Sequence, residues 1–302
     1  MGSEQGIQSL KKAGKVSELE RLVDDSVMNG SIGMGHTRWA THGRPSHENA
    51  HPHTDNGQRI AVVHNGIIEN FELLRDELRA SGYEFTSETD SEVIVHLVDS
   101  YYAESEDILR AVKEAIGRLE GAYAIGVMCR DEPGRIVAAR LGSPLVVGVG
   151  IGEHYIASDV LALRPVTDRF IYLEEGDLVD ITADALSFWN VEDESVIRTS
   201  VRIQAGADEA DKGAYRHHMQ KEIHEQASVV RRTLEGRIGA EKVLEAALGV
   251  EASVILDETD SITLVGCGTS YYAASVARYW IEEMAGISCS VEIASEFRYR
   301  SL

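Results

Sequence analysis

Residues 60–98 read IAVVHNGIIENFELLRDELRASGYEFTSETDSEVIVHLV, and this stretch decides the class of fold. Ile60-Ala61-Val62-Val63-His64 is a short run rich in β-branched residues, which predicts a strand. His64-Asn65-Gly66 follows it, and Asn-Gly is also a strong hairpin signal. Phe71–Ala80 then places Leu73, Leu74 and Leu78 on one side of a helix. Thr89-Asp90-Ser91-Glu92 has the form of a capping box and precedes the apolar run Val93, Val95, Leu97 and Val98, which predicts a second helix. A third is predicted over Ile108–Leu119.

Outward from this stretch the texture is β on the C-terminal side. Short apolar runs at Tyr123–Met128, Ile136–Ala139, Leu145–Val149, Tyr155–Ala157 and Phe170–Leu173 are separated by turn residues. On the N-terminal side, Gln8–Asn29 reads as helix or helix plus loop. Strands, then helices, then strands again predict an α+β layered domain. Past Ile203 the pattern changes. Gln204–Gly213 is polar and turn-rich and reads as a linker, and Tyr215–Leu234 is helical and densely charged. Glu241–Ala247 is helical, Ser261–Val265 a strand, GCGTS at 266–270 a tight turn, Tyr271–Ala285 a helix and Ser290–Ala294 another strand. Strand, glycine turn, helix and strand make one βαβ unit. A lone βαβ unit leaves both faces of a parallel sheet uncovered, so this end is expected to be cut from something larger.

Composition narrows the function classes. The 302 residues include 29 basic and 50 acidic side chains, a formal net charge of −21, and 43% are hydrophobic. That is ordinary globular composition, and it excludes disorder as the main description. The acidity argues against nucleic-acid and anionic-membrane surfaces, which reward clustered cations. Only seven of the basic residues are Lys, a balance that fits either high-salt life or a merely acidic protein. Cys129, Cys267 and Cys289 form no CxxC pair and no disulfide framework. His51 and His53 lack a completing set of ligands, so neither a metal nor another cofactor is expected. With no apolar run of about 18 residues and no signal sequence, a soluble, cytoplasmic protein is expected.

Three groups carry chemistry. In HTRWATHG at 36–43, Arg38 suits a small carboxylate through its bidentate fork, and Trp39 offers an apolar wall. A surface Arg-Trp stack would use the same two residues. Asn65 and Gly66, expected at a strand end, supply two donors suited to the oxygen that turns negative when an amide carbonyl is attacked. Asp90 suits an ammonium group, although a carboxylate in a first helical turn also simply favours the dipole. A carboxylate clamp, an ammonium partner and an oxyanion pair describe a pocket for an amino acid bearing a carbonyl, and glutamine fits. In the turn at 266–270, free N–H groups at a helix start and two hydroxyls form an uncharged phosphate cradle, although many such turns are Gly-rich for packing alone. It is neither a Walker loop nor GxGxxG.

In this order, HTRWATHG at 36–43, NAHPH at 49–53, HNGIIEN at 64–70, SETDSEV at 87–93, GSPLVVG at 142–148, DKGAYRHHMQKEIHEQ at 211–226, GCGTSYYA at 266–273 and VEIASEFRYR at 291–300 resemble the glutamine–fructose-6-phosphate amidotransferases. The resemblance runs from about Lys12 to the end. It implies an α+β N-terminal-nucleophile glutaminase of αββα layers over 1–203, a linker over 204–235, and the beginning of an α/β SIS-type sandwich over 236–302. It also implies that glutamine is hydrolysed in the first domain and that its ammonia passes to fructose 6-phosphate, making glucosamine 6-phosphate and glutamate in a homo-oligomeric enzyme. Position by position, Arg38 would hold the glutamine α-carboxylate and Asp90 its amino group. Thr41, His42 and His51 would line that site, and Asn65 and Gly66 would form the oxyanion hole. Trp39 would gate the ammonia, and Thr269 and Ser270 would hold the sugar phosphate.

The chain also departs from the family. The family's nucleophile is an N-terminal cysteine behind the initiator Met, whereas this chain starts Met1-Gly2-Ser3 and has no Cys before Cys129. The family's opening strands and most of its isomerase are absent too. The expectation is a fragment of the enzyme, truncated at both ends and inactive by itself. The alternative is a non-catalytic binder of glutamine or sugar phosphate, or a partner of an intact amidotransferase.

Overall fold

The computed structural model describes residues 2–3, 6–24, 26, 28, 30–38, 43–203, 212–234, 237–238, 243, 252–297 and 299. The chain divides into two compact units, 1–210 and 211–302.

The first unit starts with two short paired strands, β1 (Gly2–Ser3) and β2 (Gly6–Ile7), and then α1 (Val16–Asp24). β3 (His53–Thr54) and β4 (Ile60–Ile68) form the next antiparallel pair. Three helices follow: α2 (Phe71–Ala80), α3 (Ser91–Ser105) and α4 (Ile108–Ile116). The remaining strands are β5 (Gly121–Cys129), β6 (Ile136–Leu141), β7 (Val146–Val149), β8 (His154–Ala157), β9 (Arg169–Tyr172), β10 (Leu178–Ile181), β11 (Leu186–Trp189), β12 (Ser195–Val196) and β13 (Val201–Arg202).

These strands build two antiparallel sheets. One has the order β12-β11-β10-β6-β5-β4-β3 and the other β13-β9-β7-β8. Along β5 the period of two is plain. Tyr123, Ile125, Val127 and Cys129 enter the core shared with α2, α3 and α4, while Ala124 enters a second core with Val147, Ile171 and Leu173 of the smaller-sheet region. The described residues thus stack as helices, large sheet and small sheet. Both faces of β5 and β6 are covered, which is why these strands read as unbroken apolar runs. The eight residues at 91–98, the start of α3, are buried, because the helix lies among α2, α4 and β4.

The helix expected over 108–119 ends at Ile116, with Gly117 as its C-cap. The expected box at the start of α3 does not form. Asp90 is the N-cap, but its side chain makes no capping bond. Its Oδ2 instead accepts from the Ile68 N–H at 2.9 Å. Glu92 turns to Thr86 and Ser87, whose N–H and hydroxyl groups it accepts at 2.7–2.9 Å. Both carboxylates find tertiary donors that outcompete the local ones.

In the second unit, α5 spans His218–Leu234 and α6 Ala252–Asp257. β14 (Ser261–Gly266), α7 (Gly268–Ala285) and β15 (Ser288–Ile293) make the expected βαβ unit, with the strands parallel from Ser261↔Ser288 to Gly266↔Ile293. A short α8 (Ala294–Phe297) follows. The expected helix over 241–247 and most of the linker lie outside the described residues.

Candidate functional site

The site grows from β4. Asn65 and Gly66 do not follow the strand, as expected, but sit inside it, paired with Ala124 and Tyr123 of β5. Their neighbours explain why a turn dipeptide stays extended here. Gly66 has φ +139°, and a Cβ on it would lie 2.0 Å from the Ala122 carbonyl oxygen. Gly121, opposite Ile68 on β5, has φ +118°, and a Cβ on it would lie 2.3 Å from the Ile67 carbonyl oxygen. Two glycines let the two backbones close here as no side chain would allow.

Asn65 is exposed, and its Oδ1 lies 2.7 Å from His36 Nε2. An amide oxygen only accepts, so His36 carries its proton on Nε2, and the Asn65 NH2 is the face offered elsewhere. The His36 and His51 ring centroids lie 4.0 Å apart with their planes tilted by 44°, and His51 meets His53 edge-on at 4.9 Å. His53 Nε2 is 3.1 Å from Thr89 Oγ1, and His64 Nδ1 is 2.9 Å from Ser91 Oγ. Burial is the main cause that drives His36, His51 and His53 down from the ordinary imidazole value, with neighbouring cations adding to it. His53 falls to about 3 and His51 still lower. These three rings are therefore neutral at pH 7.

Arg38 is half-buried. Its Nη2 donates to the Gly43 carbonyl at 3.0 Å and its Nη1 to that of Arg44 at 3.3 Å. A cavity of about 310 Å³ is bounded by Lys11, His36, Thr37, Arg38, Ser46 and His51, among others. Its volume is at the small end for ligand pockets, as befits an amino acid. His51 Nδ1 is buried and finds no hydrogen-bond partner in the protein, the kind of atom a bound ligand satisfies. Lys11 is half-buried, and burial lowers its pKa against the pull of Glu92 and Glu48. A second cavity of about 610 Å³ has Asn65 on its wall and shares His36 and Thr37 with the first.

The structure thus brings Arg38, His51 and Asn65 together around His36, a residue the sequence reading left without a role. Asp90 is only 3% exposed and is tied to β4 two residues past Gly66. Trp39, Thr41 and His42 lie outside the described residues. Thr269 and Ser270 are exposed in the first turn of α7 in the other unit. Sequence reasoning also gives no role to Asn49 and Glu88, which join across 39 positions, although both stand within quoted motifs, as does Gly43, which packs against them.

Among the described residues no group of three or more His, Cys, Asp or Glu could hold a metal, and no helix is long and apolar enough to cross a membrane. Burial raises the pKa of Cys129, which pairs with Ile60 and so lies five positions along β4 from Asn65, about 17 Å. Cys267 and Cys289 belong to the second unit.

A family profile described as a glutamine amidotransferase domain matches residues 36–165, and one described as an SIS domain matches 255–302. A glutamine–fructose-6-phosphate aminotransferase (isomerizing) of Pseudomonas putida is 55% identical over 98% of this chain and 48% of its own length. The namesake of Idiomarina loihiensis is 53% identical over 97% of this chain and 48% of its own. Among solved structures, the glutamine phosphoribosylpyrophosphate amidotransferase of B. subtilis is 21% identical over 85% of this chain and 50% of its own, with a TM-score of 0.41. The C-terminal domain of the Francisella tularensis glucosamine–fructose-6-phosphate aminotransferase is 41% identical over 30% of this chain and 25% of its own, with a TM-score of 0.28. The chain spans about half the length of the curated relatives it matches. Over that half it belongs to the glutamine–fructose-6-phosphate aminotransferase family, with a glutamine amidotransferase domain followed by a match to an SIS domain.

Proposed function

We propose that the first unit binds glutamine where the 310 Å³ and 610 Å³ cavities meet at His36 and Thr37, as part of an enzyme that makes glucosamine 6-phosphate and glutamate from fructose 6-phosphate and glutamine. The observation that carries the reading is the half-buried Arg38 beside neutral imidazoles on a cavity wall where His51 Nδ1 has no partner. Arg38 holds the α-carboxylate and Asp90, with Thr41, His42 and His51 around it, receives the amino group. The Asn65 NH2 and the Gly66 N–H face the amide oxygen as a nucleophile adds to the carbonyl carbon. Collapse of that adduct releases ammonia, and water then releases glutamate. Trp39 gates the ammonia's exit, and Thr269 and Ser270 hold the sugar phosphate. The layering is that of an αββα glutaminase over 1–203, a linker over 204–235 and an SIS sandwich from 236, in a soluble, cytoplasmic homo-oligomer.

The distance and raised pKa of Cys129 favour a second reading for the 302-residue chain taken by itself. It binds glutamine without hydrolysing it, because no cysteine stands among the described residues of the site. Calorimetric titration of this chain with L-glutamine tests both. Saturable binding is expected. Arg38→Ala and Asp90→Asn should each weaken it at least about 30-fold, the loss expected when a charged hydrogen-bonding partner is removed. No glutamate should appear, and a glutamine-analogue electrophile should label nothing at the site. Absent binding, or unchanged affinity in Arg38→Ala, refutes the site; glutamate release refutes the inactivity.

A further inference from the structure

The geometry points to Asn49 as a positioning residue that aims Arg38, through a joint it forms with Glu88 and Gly43; this rests on the reading of Arg38 as the carboxylate clamp. Asn49 is 2% exposed, and its amide is fully engaged. Its Oδ1 accepts the Glu88 N–H at 2.9 Å, and its Nδ2 donates to Glu88 Oε2 at 3.1 Å and to the Arg44 carbonyl at 3.0 Å. Its own N–H donates to Ser46 Oγ at 3.3 Å. Flipping the amide would turn its NH2 toward the Glu88 N–H and its oxygen toward two acceptors, so its orientation is determined.

The Arg44 carbonyl is the shared atom. It accepts from Asn49 Nδ2 on one side and from Arg38 Nη1 on the other, while the neighbouring Gly43 carbonyl accepts Arg38 Nη2. Asn49 therefore fixes the plane of the peptide against which the guanidinium lies. The joint is closed tightly. Gly43 has φ +74°, and a Cβ there would meet Asn49 Nδ2 at 2.7 Å and Glu88 Cβ at 3.0 Å. It is also anchored, because Glu92, buried in the first turn of α3, accepts four bonds from Thr86 and Ser87 immediately before Glu88. A rigid helix thereby sets the loop that sets Asn49, and Asn49 sets the carbonyl pair under Arg38. A bidentate clamp depends on such preorganisation, since small errors in direction forfeit one of its two bonds.

If Asn49 merely fastened two loops, any pair that restored the 49–88 contact would serve. Asn49→Asp alone sets a second carboxylate against Glu88 and should open the joint. The double variant Asn49→Asp/Glu88→Gln restores a donor and an acceptor between the two positions, yet leaves the Arg44 carbonyl without a donor from residue 49. The double variant is expected to regain part of the melting temperature lost by Asn49→Asp, while its glutamine dissociation constant stays raised by about tenfold, one charge-assisted bond's worth of discrimination. Its Arg38 guanidinium protons, followed by nitrogen-15 NMR without ligand, should exchange faster than in the parent. Parent-like affinity together with parent-like guanidinium exchange in the double variant overturns the proposal. A parent that binds no glutamine sinks the glutamine reading alone, and the guanidinium exchange then decides the joint by itself.

Discussion

Lowering the pH from 7 to 5 should cost the first unit about 4 kcal/mol of stability through His51 and His53 alone. His53 is 2% exposed, and burial, followed by the nearby Lys11, takes it from the ordinary 6.5 to about 3. His51 is pushed further in the same direction by burial and by His36 and His53. A folded-state value below the unfolded one means that the unfolded chain binds more protons. Stability is then full above about pH 6.5 and falls as the pH drops toward the folded value. At pH 5 the solution lies about 1.5 units below each ring's unfolded pKa, while the folded rings are still neutral, which removes about 2 kcal/mol per ring. For a domain of this size each kcal/mol moves the melting temperature by about 2–4 °C, so the transition should drop by about 8–16 °C. Burial pushes the Glu92 pKa up, but bonds with His96, Thr86 and Ser87 pull it further down, below the ordinary 4.5, so Glu92 keeps its charge over this range. Neutralising part of the −21 net charge acts the other way, so a control is needed. Calorimetric scans at pH 7, 6 and 5 should be run on the parent and on His51→Asn/His53→Asn. The double variant should lose most of the pH slope. A parent transition that holds within about 2 °C, or an undiminished slope in the double variant, would refute the neutral-imidazole account.

Two further predictions rest on packing and on a buried ion pair. Gly66→Ala forces a φ of +139° on a residue with a Cβ and drives that carbon into the Ala122 carbonyl. It should destabilise the unit by about 3 kcal/mol or more, measured as a lowered urea midpoint. Arg198 holds Asp177, which is fully buried, by two bonds of 2.7 Å. Arg198→Ala should therefore cost about 3–5 kcal/mol, and Arg198→Ala/Asp177→Asn should recover much of it; equal losses in the two variants would show that charge burial is not the cause.

How much of this was legible depended on where each residue found its partners. Phe71–Ala80 is legible to the residue because its signal is local, with Leu74 and Leu78 buried one turn apart, but Leu73, expected on the same side, is 62% exposed. β4 was read only to His64, since the reason Asn65-Gly66 stays extended lies in Gly121 on another strand. The box at Thr89–Glu92 misled because both carboxylates are spent on groups brought in by the fold. β10 and β11, at Leu178–Ile181 and Leu186–Trp189, are not legible, since Asp180 and Ser187 interrupt apolar runs that are already only four residues long. At the site, Arg38 and Asn65 were legible as residue types with a chemical use. Asn49 and Glu88 were not, because a joint between two loops leaves no periodicity in either.

The electrostatics of the cavity make sense of a residue economy that composition alone left unexplained. Glutamine is a zwitterion, so the part of its pocket that meets the carboxylate gains from cations, while the part that meets the ammonium group must not carry them. Histidines in the ordinary state would be partly cationic near neutrality and would repel the ligand's ammonium group as strongly as Arg38 attracts its carboxylate. Burying His36, His51 and His53 removes that conflict and leaves neutral rings that still donate and accept. The long-range field of a −21 chain opposes a carboxylate, but it is screened over about 8–10 Å in physiological salt. What matters is the local balance, and there Lys11, Lys12 and Lys15, three of the chain's seven lysines, border the same cavity as Arg38. A lysine-poor protein has concentrated its lysines where the proposed ligand brings its carboxylate.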